Sequence, residues 1–130
     1  MASLILPDSS FYITATRAGR DPLIELSTKS DDYEFATCGM VQLEVLRGRS
    51  DPNVLRRFRE TFAVMLYIGT VNAIWERTAQ LAWSLDRQGK VIPSSGLLIA
   101  ACALQVNATV LTHDAHFSAI PGLNVVSTLP

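Results

Sequence analysis

Short apolar runs alternate with longer segments of helical periodicity along this chain. The run SLIL, residues 3–6, stops at the turn-forming residues PDSS, and the runs at 108–112 and 124–128 are rich in β-branched side chains. Such runs, bounded by turn residues, are typical of short buried strands. A further strand is expected around residues 35–37, after a helix. The pattern therefore predicts short strands separated by helices.

The helical segments repeat apolar residues at intervals of three and four. In the clearest of them, residues 72–89, the side chains of Ile74, Leu81 and Leu85 share one stripe, and Gly89 ends the helix. Further helices are expected at 11–18, capped by Ser9 or Ser10, at 40–48, closed by Gly48, and after residue 50, capped by Ser50 or Asp51. The segment 66–71 interrupts this last helix.

A different pattern covers residues 97–104, which are apolar on nearly every side. A helix without a polar face is usually buried. Asn107 follows it, at the position where a left-handed residue commonly ends a helix. We therefore predict a buried helix that ends at Asn107 and leads directly into the strand at 108–112.

Strands of this kind, alternating with helices, indicate a parallel sheet covered on both faces. We predict an α/β fold, a three-layer α/β/α sandwich with a mainly parallel central sheet. A chain of 130 residues suits one hydrophobic core, so residues 1–130 are expected to form a single domain. No repeat or linker interrupts the pattern.

Composition narrows the class of protein. The chain is 48% hydrophobic and 18% charged, as folded proteins are, and its formal net charge of −1 provides no overall basic field toward nucleic acid or membranes. Cys38 and Cys102 lie in apolar stretches outside any metal-binding spacing, which favours two buried, reduced thiols. No apolar run approaches the roughly 20 residues of a membrane span. We expect a soluble cytoplasmic protein.

Three acidic residues stand out by position. Asp8 and Asp114 follow predicted strands, and Glu44 lies on a helix among apolar neighbours. Ligand sites of parallel sheets lie at the carboxyl ends of the strands, and three carboxylates meeting there would suit Mg²⁺ or Mn²⁺ and phosphodiester hydrolysis. The alternative is structural: both aspartates could be turn or cap residues, and Glu44 could pair with Arg47.

Three segments of the sequence resemble the PIN-domain family, and within it the VapC-type toxins of bacterial toxin–antitoxin pairs. LILPDSSFYI resembles the family's first strand and aspartate, and ATCGMVQLEVLRG resembles its helix with a glutamate. IPSSGLLIAACALQVNATVLTHDAHFSAIPGLNVV resembles its long C-terminal signature. Together the three segments frame nearly the whole chain in the family's order. A receiver-like doubly wound domain remains a minor alternative. Such a domain needs a paired acid near the first strand and a later lysine, and the sequence does not match that pattern.

The resemblance implies a PIN-like fold and a divalent-metal-dependent endoribonuclease that uses Mg²⁺ or Mn²⁺. It implies Asp8, Glu44 and Asp114 as the catalytic and metal-binding residues. It also implies an RNA substrate, a cognate antitoxin as partner and a homodimer, with no role for a membrane.

Gly96 is the main departure from the family pattern, because an aspartate usually precedes LLIAA. Two hypotheses follow from this departure. The chain is either a weakened nuclease or an inactive PIN-fold module that binds RNA or an antitoxin. Two milder departures are Cys38 for a usual serine and Asn107 for a usual glycine. Supporting roles near the acids are predicted for Ser9, Ser95, Thr112 and His116.

Arginines dominate the basic residues, and five of them lie between positions 47 and 59. Arg47 and Arg49 come first after Glu44, so we predict that they contact RNA, since the guanidinium fork suits phosphate. A solvated helix face is the alternative. The segment FAVMLY and the outer side of the helix carrying Trp75 and Trp83 are candidates for an oligomer interface or for ordinary core packing.

Overall fold

A five-stranded, all-parallel sheet forms the centre of the computed structural model, which describes residues 3–130. Six α-helices flank the sheet, as the sequence predicted for a three-layer α/β/α sandwich. The strands are β1 (Ser3–Pro7), β2 (Tyr33–Cys38), β3 (Leu66–Ile68), β4 (Thr109–Leu111) and β5 (Val125–Val126), and the helices are α1 (Ser9–Arg17), α2 (Pro22–Ser27), α3 (Gly39–Leu46), α4 (Pro52–Ala63), α5 (Asn72–Arg87) and α6 (Ser94–Val106).

The strand order is β3-β2-β1-β4-β5, and every neighbouring pair is parallel. The order therefore reverses at β1, whose neighbours are β2 on one side and β4 on the other. Pro7 of β1 is in register with Leu111 of β4. In open parallel sheets the crevice at such a reversal, outside the carboxyl ends of the strands, is where ligands bind. The ends of β1 and β4 are thus the place to look for a site.

Helix α6 is the most buried helix. All seven residues from Leu97 to Ala103 are buried, which is what its apolar sequence predicted. Asn107 ends the helix with a left-handed backbone, φ 55° and ψ 41°. The chain then turns directly into β4, so the buried helix fixes where β4 begins.

The structure differs from the predicted pattern at four places. Asp8, rather than Ser9 or Ser10, caps α1, because its carboxylate accepts the amide of Phe11. Helix α3 ends at Leu46, before Gly48. Strand β3 was not predicted, because it has only three residues and the first two are exposed. A short 3-10 helix, Ala115–Ala119, was also not predicted.

Three other expectations concern a helix cap, the thiols and membrane spans. Asp51 caps α4, with Pro52 as its first residue. Cys38 and Cys102 are buried free thiols. In the part of the chain that the structure describes, no helix combines the length and apolar character needed to cross a bilayer.

Candidate active site

Asp8 lies directly after β1 and is fixed on both of its oxygens. Its Oδ1 accepts hydrogen bonds from Ser10 Oγ at 2.7 Å and from the amide of Phe11 at 3.3 Å, while its Oδ2 accepts one from Thr112 Oγ1 at 2.9 Å. The residue is only 3% exposed. Asp8 is therefore a buried carboxylate held in one orientation by neutral donors.

The two hydroxyls beside Asp8 also connect the start of α1 to the segment after β4. Ser10 Oγ accepts a hydrogen bond from the amide of His113 at 3.0 Å, and Thr112 Oγ1 accepts one from the amide of Asp114 at 2.9 Å. The two hydroxyl oxygens lie 3.1 Å apart. Because each hydroxyl has one proton to donate, giving both to Asp8 leaves the oxygens free to accept these amides. One small network thus positions both aspartates.

Burial is the main influence on the ionisation of Asp8, and it raises the pKa of the carboxyl above its ordinary value. The hydrogen bonds from Ser10, Thr112 and Phe11 act in the opposite direction, and the negative charge of Asp114 adds to the increase. A carboxylate kept in such surroundings is costly to ionise without a cation nearby.

Glu44 comes from α3, on the far side of the start of α1. Its Oε1 accepts a hydrogen bond from Ser9 Oγ at 3.0 Å, across 35 positions in sequence. The alternative pairing of Glu44 with Arg47 is absent from residues 3–130. Ser9 therefore holds one carboxylate oxygen of Glu44 in place, and a supporting role for this serine at the site stays a prediction.

Asp114 lies beyond β4 and caps the 3-10 helix. Its Oδ1 accepts the amide of His116 at 2.9 Å and lies 2.8 Å from Nδ1 of the same residue. The side chain is 39% exposed, so this acid faces solvent more than Asp8 does. His116 thus contacts Asp114 through both its backbone amide and its ring. The two contacts hold the imidazole and the carboxylate against each other.

The three acids line one cavity of about 300 Å³. Its other polar lining comes from Ser9, Ser10, Thr14, Arg17 and Ser95, and its apolar lining includes Ile99 and Phe117. Asp8, Glu44 and Asp114 reach it from three separate parts of the chain, as their positions after strands and on a helix predicted.

Gly96 also lines this cavity, in the first turn of α6. Its backbone is outside the left-handed region, and a Cβ built on it would meet Ile92 Cγ2 at 3.6 Å and Phe117 Cζ at 4.0 Å, which are ordinary contact distances. Neither the backbone nor the available space requires glycine here. The absence of a side chain leaves this wall of the cavity without a charge.

By donor chemistry the three carboxylates fit a hard divalent cation such as Mg²⁺ or Mn²⁺. As the side chains stand, however, no three His, Cys, Asp or Glu residues between positions 3 and 130 are arranged to hold a metal ion. The hydrogen bonds give the physical reason, because Glu44 faces Ser9 and Asp114 faces His116. The acids share a cavity without closing around one point.

The two arginines predicted to contact RNA lie outside the cavity lining. Arg47 and Arg49 do not line the acidic cavity, and the guanidinium of Arg49 lies 5.8 Å from the ring centre of Phe58. Their contact with RNA stays a prediction. Two residues of the site were missed by the sequence reasoning, Ser10 and Arg17. Ser10 was considered only as a cap. Arg17 could have been found from its spacing of seven residues after Ser10, which places both on one face of a helix.

Comparison with known proteins adds a family to this geometry. The model of the PIN domain family matches residues 5–123. No curated protein matches the chain. Among solved structures, the chain is similar to one in VapBC2 from Rickettsia felis bound to a DNA fragment from its promoter, at 21% identity and a TM-score of 0.77, covering 95% of this chain and 97% of that one.

Two further structures show the same similarity. DNA-bound VapBC from Salmonella typhimurium matches at 19% identity and a TM-score of 0.76, covering 97% of this chain and 98% of that one. VapC20 from Mycobacterium tuberculosis, a toxin that cleaves the sarcin-ricin loop, matches at 16% identity and a TM-score of 0.66, covering 97% and 99%. At these identities the likeness shows a shared fold.

Proposed function

The chain belongs to the PIN-domain family, and we propose that it is a divalent-metal-dependent endoribonuclease, the toxin of a VapBC-type toxin–antitoxin pair. PIN domains are generally nucleases. The observation that carries the proposal is the shared cavity of Asp8, Glu44 and Asp114 at the reversal point of a parallel sheet. Asp8 is a buried carboxylate with no cationic partner among residues 3–130, at the place where such sheets bind ligands, and this suits a metal-dependent reaction.

In this proposal Asp8, Glu44 and Asp114 would hold Mg²⁺ or Mn²⁺. When bound, the ion supplies an activated water and neutralises charge that develops on the phosphate. Ser10 and Thr112 keep Asp8 in one orientation, and Ser9 fixes the carboxylate of Glu44 in the same cavity. Side chains that hydrogen-bond to metal ligands generally fix the direction of those ligands. In this proposal the three hydroxyls have that role for Asp8 and Glu44.

His116 has a separate part in the proposal. Its Nδ1 lies 2.8 Å from Asp114 Oδ1, so the imidazole is held beside the last acid of the cavity. Where Asp114 holds the ion, the imidazole beside it would be available to a phosphate of the substrate. Ser95, a neutral cavity residue next to Gly96, would act as a hydrogen-bond donor there.

Gly96 sets the expected level of activity. A fourth carboxylate would add negative charge to the site and replace a water on the cation, so its absence lowers metal affinity. The cavity wall at Gly96 has room for a side chain. We therefore propose a weakened nuclease, with the lost affinity recoverable by substitution.

RNA as substrate and an antitoxin as partner are proposed from the fold relatives. VapC20 is described as cleaving the sarcin-ricin loop, and the Rickettsia felis and Salmonella typhimurium structures are VapBC complexes. An enzyme of this kind would meet its RNA in the cytoplasm. The partner-bound state would cover the acidic cavity or the surface around it.

A homodimer is supported by apolar side chains left on the surface. Trp75 is 51% exposed and Trp83 is 63% exposed, both on α5, and Val64 and Tyr67 of the segment FAVMLY are exposed as well. Phe62 of the same segment is buried in the core, so ordinary core packing, the alternative, accounts for that residue. Exposed apolar patches often mark interaction sites, and we propose the exposed side chains for the dimer.

The second candidate function is a PIN-fold module that binds RNA or an antitoxin without cutting. Gly96 favours it, because the family's aspartate is missing from the cavity wall. The two candidates differ in one observable, cleavage that requires a metal.

The test is incubation of the purified chain, free of any partner, with structured RNAs and Mg²⁺ or Mn²⁺. The proposed nuclease cleaves slowly, Gly96→Asp cleaves faster, and Asp8→Ala does not cleave. A chain that leaves RNA intact while its Gly96→Asp variant cleaves it would be the binding module. No cleavage by either would reject the nuclease.

A further inference from the structure

One face of helix α1 forms a wall of the acidic cavity. Ser10, Ile13, Thr14 and Arg17 all line the cavity, and their spacing of three, four and seven residues is that of a single helix face. The wall begins beside Asp8, which is buried, and ends at Arg17, which is exposed in the last turn. The cavity therefore changes from acidic at its floor to basic at its rim.

Arg17 is the one cationic side chain in the described lining of this cavity, opposite three carboxylates. No ion pair or side-chain hydrogen bond among residues 3–130 includes it. Arg20, three residues later, behaves differently because it pairs with Glu25 at 3.1 Å. The guanidinium of Arg17 thus keeps its donors available at the mouth of the cavity.

A purely structural role does not explain this position. A basic residue in the last turn of a helix interacts favourably with the helix dipole, but the effect is small and a lysine would serve equally. It also gives no reason for the residue to face the cavity. A ligand with negative charges does give a reason, because the guanidinium fork matches phosphate oxygens.

The position of Arg17 along α1 indicates where it would meet a strand. Arg17 lies nine positions after Asp8, and it is exposed in the last turn of α1, whereas Asp8 is buried. A helical side chain leans toward the N-terminus of its helix, so the guanidinium of Arg17 leans back over the cavity that it lines. Arg17 is thus placed for a phosphate of a strand that enters the cavity at its rim.

We propose that Arg17 binds a phosphate of the RNA strand at the rim of the acidic cavity and so positions the strand across it. The identity of the strand as RNA rests on the proposed function. Three carboxylates repel a phosphodiester, and a fixed positive charge at the rim offsets that repulsion where the strand enters. The role proposed for Arg17 is therefore to bind and orient the strand.

A binding assay without cleavage tests this role. The full chain is titrated into a short, fluorescein-labelled single-stranded RNA in EDTA, and fluorescence anisotropy measures the binding. Arg17→Ala should bind about tenfold more weakly, and the slope of log K against log salt should become shallower by about 0.7, the value for one lost phosphate contact on a single strand. Arg17→Lys should keep the slope and lose part of the affinity.

Arg77→Ala is the matched control, since Arg77 is an exposed helical arginine outside the cavity lining. It should bind like the unaltered chain. Arg17→Gln serves as a second variant if Arg17→Ala is less stable in thermal unfolding. Equal affinity and equal salt slope for the Arg17 and Arg77 variants would overturn the proposal, as would an unaltered chain that binds no RNA. Because the assay does not measure cleavage, its result can be interpreted even if the nuclease proposal fails.

Discussion

Thr112 Oγ1 donates a hydrogen bond of 2.9 Å to Asp8 Oδ2, although the two residues are 104 positions apart in sequence. The same oxygen accepts the amide of Asp114 at 2.9 Å. A single hydroxyl after β4 therefore orients the first acid of the site and positions the last. Neighbouring parallel strands make this possible, since β1 and β4 end at the same edge of the sheet.

Replacing Thr112 by valine should weaken both the fold and the site. The substitution leaves Oδ2 of a buried carboxylate without its donor, so the free energy of unfolding in urea should fall by about 1–3 kcal/mol. RNA cleavage should fall by about 10- to 100-fold, the usual effect of losing a partner that orients a ligand.

Thr37→Val is the control for this substitution. Thr37 is completely buried, and its Oγ1 has no hydrogen-bond partner within residues 3–130. Removing that hydroxyl should leave the free energy of unfolding unchanged or raise it. Similar losses in the two variants would show that the hydrogen bond to Asp8 has no special weight.

The stability of the metal-free protein should carry a signature of Asp8 in its pH dependence. Burial raises the pKa of this carboxyl above its value of 3.8 in the unfolded chain. Between the two pKa values the folded state holds more protons, so stability decreases as the pH rises. The contribution of Asp8 is therefore fully present below pH 3.8 and is lost as the pH rises through the folded-state pKa.

Asp8→Asn removes this titration. In EDTA, the free energy of unfolding of Asp8→Asn minus that of the unaltered chain should increase as the pH rises from 3.8 toward neutrality. The variant thus gains stability relative to the unaltered chain. Urea titrations at several pH values measure this difference. A difference that stays constant with pH would mean that burial does not affect the ionisation of Asp8.

Gly96→Asp should separate the effect of a side chain from the effect of a charge. The added Cβ makes only ordinary contacts with Ile92 and Phe117, so the helix accepts it. We expect metal-dependent cleavage to rise by about 10- to 100-fold. Gly96→Ala should stabilise the fold by up to about 1 kcal/mol, because glycine is a poor helix former, and leave cleavage unchanged. Equal cleavage by both variants would mean that charge at this position is irrelevant.

Much of this site could be predicted from the sequence because its parts follow local rules. Asp8 comes directly after an apolar run, and Asp114 follows a β-branched one, so both were expected at one sheet edge. The buried helix from Leu97 to Ala103 and the left-handed Asn107 were predicted from apolar pattern and cap chemistry. These features depend mainly on neighbours in sequence.

Other parts depend on tertiary contacts and were not predictable in the same way. The hydrogen bond from Ser9 to Glu44 spans 35 positions, and the contact of His116 with Asp114 depends on an unpredicted 3-10 helix. Strand β3 is defined by pairing with β2, because its own three residues have no distinctive pattern. Arg47 and Arg49 are close to Glu44 in sequence, yet neither lines the cavity.

Titration calorimetry with Mn²⁺ tests most directly whether Asp8, Glu44 and Asp114 form one cation site. Asp8→Asn, Glu44→Gln and Asp114→Asn should each weaken Mn²⁺ binding strongly, because each removes a carboxylate from the same cavity. Asp86→Asn, which alters an exposed acid on α5 outside that cavity, should bind like the unaltered chain. Mn²⁺ binding that survives all three substitutions, or that is absent even from Gly96→Asp, would contradict a shared metal site.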